Sequence, residues 1–412
     1  MAVCGSKSER AGMVIVGAGE CGTRAAYTLR EAGYDGPVTL IGDEASLPYE
    51  RPPLSKPSSI GIEHRLICDA AQLENAGIKY LAGIRVTSLD PERKTVSLDN
   101  QGSLSYERLL LSTGAAPRRL TCPGEELAHV LRTLEDAKRL YKMAFAGSRI
   151  AIVGAGLIGM ELAACLQRLG TQVTVIDVAT RPLERAVPDV LARRLHERHV
   201  KEGVRFRFNA IVEEIDRSGV LLNDGTTVAA DVVITAIGVT PNTSLAKGSG
   251  ISTQNGILVD TFLRTTVPDI FAAGDCACLD LGQGKAVRYE TWRNARVQGE
   301  LAGRNMAGAA QTITTRPWFW SDQYELGLQV VGLPSAEHVT VTRHLSGGAE
   351  IIFFLDGHRH LAAAAGLGPG GAVAKDIRLA EMLIDAEVGL DLKLIGDPAV
   401  SLKSFLRRTQ PA

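Results

Sequence analysis

Met13-Val14-Ile15-Val16-Gly17-Ala18-Gly19-Glu20-Cys21-Gly22 sets four apolar residues directly before a GxGxxG turn, and the arrangement recurs as Ile150-Ala151-Ile152-Val153-Gly154-Ala155-Gly156-Leu157-Ile158-Gly159. Each apolar run reads as a buried parallel strand. Each turn then opens a helix whose unpaired N–H groups and positive dipole end suit a pyrophosphate. A single glycine turn of this kind is common, but here the context repeats in full. A second strand follows each helix, Val38-Thr39-Leu40-Ile41 and Val173-Thr174-Val175-Ile176, and an acid stands at its end, Glu44 and Asp177. Strand, turn, helix, strand and acid together are the dinucleotide-binding pattern. Two copies predict two bound dinucleotides.

Working outward, the first unit begins near Ala11, closes at Leu109-Leu110-Leu111-Ser112-Thr113-Gly114, and resumes past Pro241 through Asp269-Ile270-Phe271-Ala272-Ala273-Gly274-Asp275. The second copy lies between, ending in its own strand and glycine turn, Val232 to Gly238. From Phe319 the pattern changes to strands at Gln329-Val330-Val331 and Glu350 to Leu355, a glycine-rich loop from Gly366 to Gly371, and a helix from Val373 to Ala386. The expected fold is therefore α/β, with two Rossmann-like domains and a C-terminal α+β domain. The expected boundaries are 11–114 with 242–318 for the first, 115–241 for the second and 319–412 for the third.

Composition agrees with this class. The chain has 412 residues, 45% hydrophobic but only 5% aromatic, with 43 glycines, as expected of aliphatic strands and tight turns. A formal net charge of -1 removes any global attraction to nucleic acid or anionic membrane. The first twelve residues lack an apolar signal core, and no apolar run is long enough to span a bilayer, so a cytoplasmic protein without membrane or nucleic-acid partners is expected. Seven cysteines, at 4, 21, 68, 122, 165, 276 and 278, form no CxxC pair and no metal-ligand series; buried small hydrophobes in a reducing compartment are the expectation.

Two dinucleotides in one chain most economically mean a flavin that stays and a nicotinamide that comes and goes. The proline-bracketed stretch Pro48-Tyr49-Glu50-Arg51-Pro52-Pro53-Leu54-Ser55-Lys56 puts two cations behind the first turn, where a flavin diphosphate and ring would need them. Behind the second turn, Asp177 is suited to accept both ribose hydroxyls of NADH and to repel a 2'-phosphate, although Arg181 and Arg185 follow closely and offer a 2'-phosphate a counter-charge.

Gly42-Asp43-Glu44, Tyr49 to Lys56, the second glycine turn with Glu161, Asp269 to Cys276, and Pro317-Trp318-Phe319-Trp320-Ser321-Asp322-Gln323 resemble the oxygenase-coupled NADH:ferredoxin reductases, which share the flavoprotein disulfide-reductase scaffold without its redox disulfide. The resemblance covers residues 12 to 408. It implies FAD, NADH, a glutathione-reductase-like fold and a [2Fe-2S] ferredoxin as transient acceptor serving a Rieske oxygenase, a demethylase or a cytochrome P450. Residue by residue, it implies Gly17, Gly19, Cys21 and Gly22 at the FAD diphosphate, Glu44 at its ribose, Arg51 and Lys56 along it, and Asp275 at the ribitol. Val86, Thr113, Gly114, Arg118, Gly238 and Gly274 are further implied cofactor contacts. Gly154, Gly156, Ile158, Gly159, Asp177 and Arg185 would hold NADH, and Glu161 would face the carboxamide and pair with Lys56. Trp320 would lie beside the rings, and Trp292 either near the flavin or simply packed. Lys56, Glu161 and Trp320 are thus the expected reaction-site residues, and no metal is expected. The chain departs from the family pattern at Asp177, where glutamate is usual, at Pro57-Ser58-Ser59, and in the glycines from 366 to 371.

If hydride moves directly between rings, no acid–base residue is required, and the protein's tasks are stacking, charge placement and exclusion of oxygen. The acceptor would meet the protein in a small, charge-steered encounter. Arg288, Arg293, Arg296 and Arg304 lie in a helix-compatible stretch and read either as that docking surface or as a solvated mixed-charge helix with Glu290 and Glu300. A rubredoxin reductase differs only in partner, and an apoptosis-inducing-factor-like redox sensor shares the Trp-Ser-Asp element. A disulfide reductase or a peroxide-reducing oxidase on the same scaffold would need a redox-active cysteine where the Arg51 to Lys56 loop stands, and that loop has none; Cys276 and Cys278 are spaced CxC in a turn that resembles a flavin-binding element. Monomer and homodimer both fit.

Overall fold

The computed structural model describes residues 11–56, 64–314 and 316–407. The departure at Pro57-Ser58-Ser59 lies outside them, as does Cys4. The chain forms two compact units, one of residues 1–50, 64–116 and 240–315, the other of 51–63, 117–239 and 316–412.

In the first unit the strand Gly12–Val16 lies between Val38–Gly42 and Ser103–Leu111, parallel to both, and Ile78–Ala82 extends the sheet beyond Val38–Gly42. The late strand Ile270–Ala272 pairs in parallel with Leu109 to Leu111, so the sheet is completed by residues far along the chain. Buried on both faces, the central strand is apolar throughout. Helix Glu20–Glu31 covers the sheet, and helix Trp292–Met306 packs on it. The seam between these helices requires small residues. A Cβ on Gly299 would sit 2.3 Å from the Cys21 carbonyl oxygen, and one on Gly303 2.7 Å from that of Ala25.

The second unit holds a parallel sheet in the order Arg205–Arg207, Gln172–Ile176, Arg149–Val153, Val232–Thr235, His129–Val130. It also holds an antiparallel five-stranded sheet in the order Trp318–Gln323, Leu326–Gly332, Leu361–Pro369, Glu350–Leu355, Val339–His344. Strand Glu350–Leu355 is buried on both faces. Alternation divides its side chains: Ile351, Phe353 and Leu355 join Ile377, Ala380 and Leu383 of helix Ala374–Ala386, whereas Ile352 and Phe354 join Leu162, Leu166, Leu191 and Leu195 of the helices beside the parallel sheet.

The expected loop from Gly366 to Gly371 is corrected by the structure. Gly366, Leu367 and Gly368 continue the strand to Pro369, and only Gly370 and Gly371 turn the chain. These glycines serve close packing. A Cβ on Gly366 would stand 2.9 Å from the Val373 Cβ, and one on Gly368 2.4 Å from the Ala349 Cβ.

No helix among the described residues is long and apolar enough to cross a membrane.

Candidate functional site

Each unit carries one glycine turn, and the two are built alike. Gly17 and Gly154 leave their strands at φ +111 and +113°, a region open to glycine. A Cβ on Gly22 or Gly159 would lie 1.9 Å from the carbonyl oxygen of Gly17 or Gly154, so the helix begins in contact with the turn. The middle glycines differ. Gly19 and Gly156 have φ of -77 and -76°, and a Cβ on either would meet no protein atom within 4 Å. Nothing inside the protein demands glycine there. Open space beside the backbone at a helix N-terminus is what the approach of a dinucleotide pyrophosphate would require.

Around the first turn, Ser112 Oγ shares its one hydrogen between the carbonyls of Val16 (3.0 Å) and Gly17 (2.9 Å) and holds the bend. Glu44 stands two residues past its strand and accepts a 2.5 Å hydrogen bond from the buried Tyr49 hydroxyl, which fixes the carboxylate. Cys21 turns its thiol inward, against Gly274, and burial pushes that thiol well above its ordinary pKa, so only its backbone faces the turn. Thr113 and Gly114 are strapped to Asn242: Thr113 Oγ1 donates to the Asn242 carbonyl (2.7 Å), Asn242 Nδ2 to the Thr113 carbonyl (2.8 Å), and Asn242 N to the Gly114 carbonyl (3.0 Å). Gly274 and Asp275 open a short 3-10 turn after strand Ile270–Ala272, and Gln298 Oε1 accepts from Gly274 N at 2.7 Å. Val86 belongs by its side chain to the apolar core, which leaves its backbone for any cofactor contact.

In the 288–304 row, Arg288, Arg296 and Arg304 pair with the glutamates among them. Arg288 precedes the helix and its side chain is only 4% exposed, pairing with Glu290 at 2.5 Å and donating to the Asp275 carbonyl at 3.1 Å. Arg296 and Arg304 both face Glu300, at 3.4 and 3.7 Å, and Arg24 adds a third contact to it at 2.9 Å. Trp292 begins this helix with the Arg296 guanidinium 5.7 Å from its ring.

Around the second turn, Asp177 Oδ2 accepts from Ala155 N (2.5 Å) and Oδ1 from Ala179 N (2.8 Å), which places the acid against the glycine turn. Ile158, one residue before the third glycine, is 45% exposed. Arg185 is exposed, while Arg181 is drawn to the carbonyls of Pro182, Glu184 and Val187 and to Asp189. Arg118 binds the loop of Gly238, donating from its backbone to the Gly238 carbonyl (2.9 Å) and from Nε to that of Val239 (3.0 Å).

The same unit brings Lys56, Glu161 and Trp320 together. Glu161, in the first turns of helix Leu157–Arg168, is 6% exposed and accepts hydrogen bonds from Ser55 Oγ (2.5 Å) and Ser321 Oγ (2.7 Å). Lys56 Nζ lies 3.3 Å from Glu161 and 3.1 Å from Asp322, with its charge 5.5 Å from the Trp320 ring centre. Burial pushes the Glu161 carboxyl above its ordinary pKa, and Lys56, Ser55 and Ser321 pull it back. Trp318 stacks on Trp320 at 5.3 Å. The prolines explain how Lys56 arrives: the rigid turn Pro52–Ser55 is held by Tyr141, whose hydroxyl donates to the Leu54 carbonyl at 3.0 Å, while Arg51 donates to the Arg132 carbonyl at 3.0 Å. Sequence reading gave Ser55, Ser321, Asp322, Tyr141 and Asn242 no role; the blocks around Lys56 and Trp320 contained three of them, but nothing in one sequence says which positions meet.

Residues 12–299 match the family model described as pyridine nucleotide-disulphide oxidoreductase. The chain belongs to that family. Residues 318–406 match the model described as reductase C-terminal. Among characterised relatives, the ferredoxin–NAD(+) reductase component of the anthranilate 1,2-dioxygenase system of Burkholderia cepacia is 38% identical over 404 residues, covering 95% of this chain and 98% of the relative. The corresponding component of the p-cumate 2,3-dioxygenase system of Pseudomonas putida is 36% identical, over 95% and 97%. Among solved structures, the reductase in the covalent putidaredoxin reductase–putidaredoxin complex superimposes with a TM-score of 0.89 at 30% identity, over 98% of this chain and all of that one. Enzymes of this family use FAD and NAD(H), as the two glycine turns led us to expect. The oxidoreductase class and the mixed α/β fold read from the sequence hold.

Proposed function

We propose that this chain is an FAD-dependent NADH:ferredoxin oxidoreductase that delivers electrons singly to a [2Fe-2S] ferredoxin of an oxygenase or cytochrome P450 system. The observation that carries the reading is the Lys56–Glu161–Trp320 cluster: a cation closes the loop where a disulfide reductase would need a thiol, and a buried acid and an indole stand against it. We assign FAD to segments 11–114 and 242–318, NADH to 115–241, and treat 319–412 as a third domain.

In this assignment Gly17, Gly19, Cys21 N and Gly22 receive the FAD diphosphate, Glu44 the ribose, and Asp275 the ribitol, with Val86, Thr113, Gly114, Arg118, Gly238, Gly274 and Trp292 lining the cofactors. Gly154, Gly156, Ile158 and Gly159 receive NADH, Asp177 takes its ribose hydroxyls, and Arg185 borders that site. Bound FAD supplies the chemistry, accepting a hydride and releasing electrons one at a time. The chain's own work is electrostatic and steric. Glu161 and Asp322 fix the Lys56 ammonium, the rigid Pro52–Ser55 turn keeps it in place, and Trp318 and Trp320 present an apolar wall that excludes water.

Anaerobic titration with NADH should bleach the yellow protein, and added [2Fe-2S] ferredoxin should restore the colour within a turnover. A bleached protein that ignores the ferredoxin refutes the acceptor and favours a redox-sensing role. A colourless protein that cannot be reconstituted with FAD removes the entire reading.

A further inference from the structure

Glu161 is the inner end of a row of hydrogen bonds running through completely buried side chains to Tyr324. Ser321 Oγ lies 2.7 Å from Glu161 Oε1, Gln323 Nε2 3.1 Å from Ser321 Oγ, His199 Nε2 2.9 Å from Gln323 Oε1, and the Tyr324 hydroxyl 3.3 Å from His199 Nδ1. Ser321, Gln323 and His199 are each 0% exposed, so no water competes for the three inner bonds.

The direction of the row is forced from one end. A serine hydroxyl has a single hydrogen. Directed at the Glu161 carboxylate, it leaves Ser321 only able to accept from Gln323. Gln323 must then turn its amide nitrogen to Ser321 and its oxygen to His199. His199 accordingly carries its proton on Nε2, and its Nδ1 accepts from Tyr324. Every hydrogen points toward Glu161, and every negative dipole end points toward Tyr324, whose ring faces the guanidinium groups of Arg198 at 4.6 Å and Arg168 at 5.4 Å. Bonds aligned in this way polarise one another.

We propose that Tyr324, His199, Gln323 and Ser321 form a one-way hydrogen-bond chain that holds Glu161 as a carboxylate, making His199 and Gln323 positioning residues for the Lys56–Glu161 pair. This rests on the reading of that pair as part of the nicotinamide site. The groups facing His199 agree with a neutral ring. His196 and Arg198 lie on its own helix, Asp189–Lys201, with Glu202 just past its end; strand Arg205–Arg207 brings Phe206, and strand Trp318–Gln323 and the turn after it bring Gln323 and Tyr324. Arg198 is itself engaged by Glu325 and Glu202. Burial lowers the His199 pKa to about 4 and raises the Tyr324 phenol far above its ordinary value, so that at neutral pH one is an acceptor at Nδ1 and the other an O–H donor.

The test uses oxidised, FAD-loaded protein without NADH or ferredoxin. Its result is therefore independent of turnover: loss of ferredoxin reduction would not decide it, and its failure would leave ferredoxin reduction standing. Nitrogen-15 NMR of labelled histidine, with H199Q to identify the signal, should show His199 wholly as the Nε2–H tautomer. In E161Q, where an amide no longer compels Ser321 to donate, an Nδ1–H population should appear. Infrared titration of the carboxyl band that E161Q removes should then show Glu161 protonating at a pH higher by roughly half to one unit in Q323L, the shift expected when one hydrogen bond to a carboxylate weakens. Tyr324→Phe, which breaks only the outermost bond, should fold if Q323L does not and should move the titration the same way by less. An Nδ1–H tautomer in the parent protein, an unchanged His199 pattern in E161Q, or an unmoved Glu161 titration in the folded variants would overturn the proposal.

Discussion

Replacing Asp177 with asparagine tests the nucleotide assignment at the level of individual lone pairs. Each carboxylate oxygen already accepts one backbone N–H, from Ala155 and from Ala179, and keeps one lone pair, two in all for two ribose hydroxyls. Asparagine retains a single oxygen. Its NH2 confronts one of the two backbone N–H groups, and only one lone pair remains for the ribose. One hydrogen bond to a charged acceptor, about 1.5–3 kcal/mol, is lost. The survivor becomes neutral and roughly half as strong. Because Asp177 is only partly buried, water replaces some of this, and the lower end of about 2 kcal/mol applies, a roughly thirtyfold weaker hold on NADH. NADPH gains instead, since the repulsion of its 2'-phosphate is gone. Steady-state kcat/KM for both nucleotides, with ferricyanide as acceptor so that no ferredoxin is needed, should show the NADH preference narrowing at least tenfold. An unchanged ratio would refute the assignment of Asp177 to the ribose.

Four further outcomes follow from the structure. Lys56→Ala deprives Glu161 of its counter-ion and should slow reduction of bound FAD by NADH about tenfold or more in stopped flow, with an unaltered circular dichroism spectrum; a full rate would make Lys56 a bystander. Gly22→Ala drives a methyl to 1.9 Å from the Gly17 carbonyl oxygen and 2.6 Å from Ser112 Oγ, so the purified protein should carry less than about a tenth of its flavin; a fully yellow variant contradicts the cradle. Gly368→Ala overpacks the strand against Ala349 and should lower the urea midpoint by an amount equal to about 1–3 kcal/mol, whereas an unchanged midpoint would show the strand is free to shift. His199 has a folded pKa of about 4 against roughly 6.5 in an unfolded chain, so the unfolded state binds the extra proton between those values. Its contribution to stability is complete above pH 6.5 and falls by about 3 kcal/mol as the pH drops to 4; denaturation at pH 7.5 and 5 should differ less in H199Q than in the parent, and equal differences would exclude His199 as the source.

The parts legible in the sequence are those whose causes are local. A buried strand, a turn that only glycine can make and a helix beginning on it occupy about fifteen consecutive residues, so the shape of both glycine turns could be read directly. Strand Glu350–Leu355 was also legible, as an apolar run of strand length. Glycines 366 and 368 were misread because glycine has two uses, bending a chain and admitting a neighbour, and the neighbours here are Val373 and Ala349. Both readings of the arginine row fit its spacing, because helical spacing reports which residues share a face and is silent about which charges meet: Glu300 faces Arg296 and Arg304 of the row, and Arg24 from another helix. Least legible was the surrounding of Glu161. Its partners Ser55 and Ser321 lie 106 and 160 residues away, and the His199–Gln323 bond spans 124. No periodicity encodes such meetings.

The glycine seam between helices Glu20–Glu31 and Trp292–Met306 bears on how the protein is made. The helix behind the first glycine turn emerges early from the ribosome, but its packing partner and the closing strand Ile270–Ala272 are translated more than two hundred residues later. Until then the nascent first unit exposes an apolar sheet edge and a bare helix flank, and its cradle lacks the elements that brace it. Completion of the first unit is thus a late event in biogenesis, and the apolar surface left uncovered in the interval is of the kind that makes partly folded chains prone to aggregate.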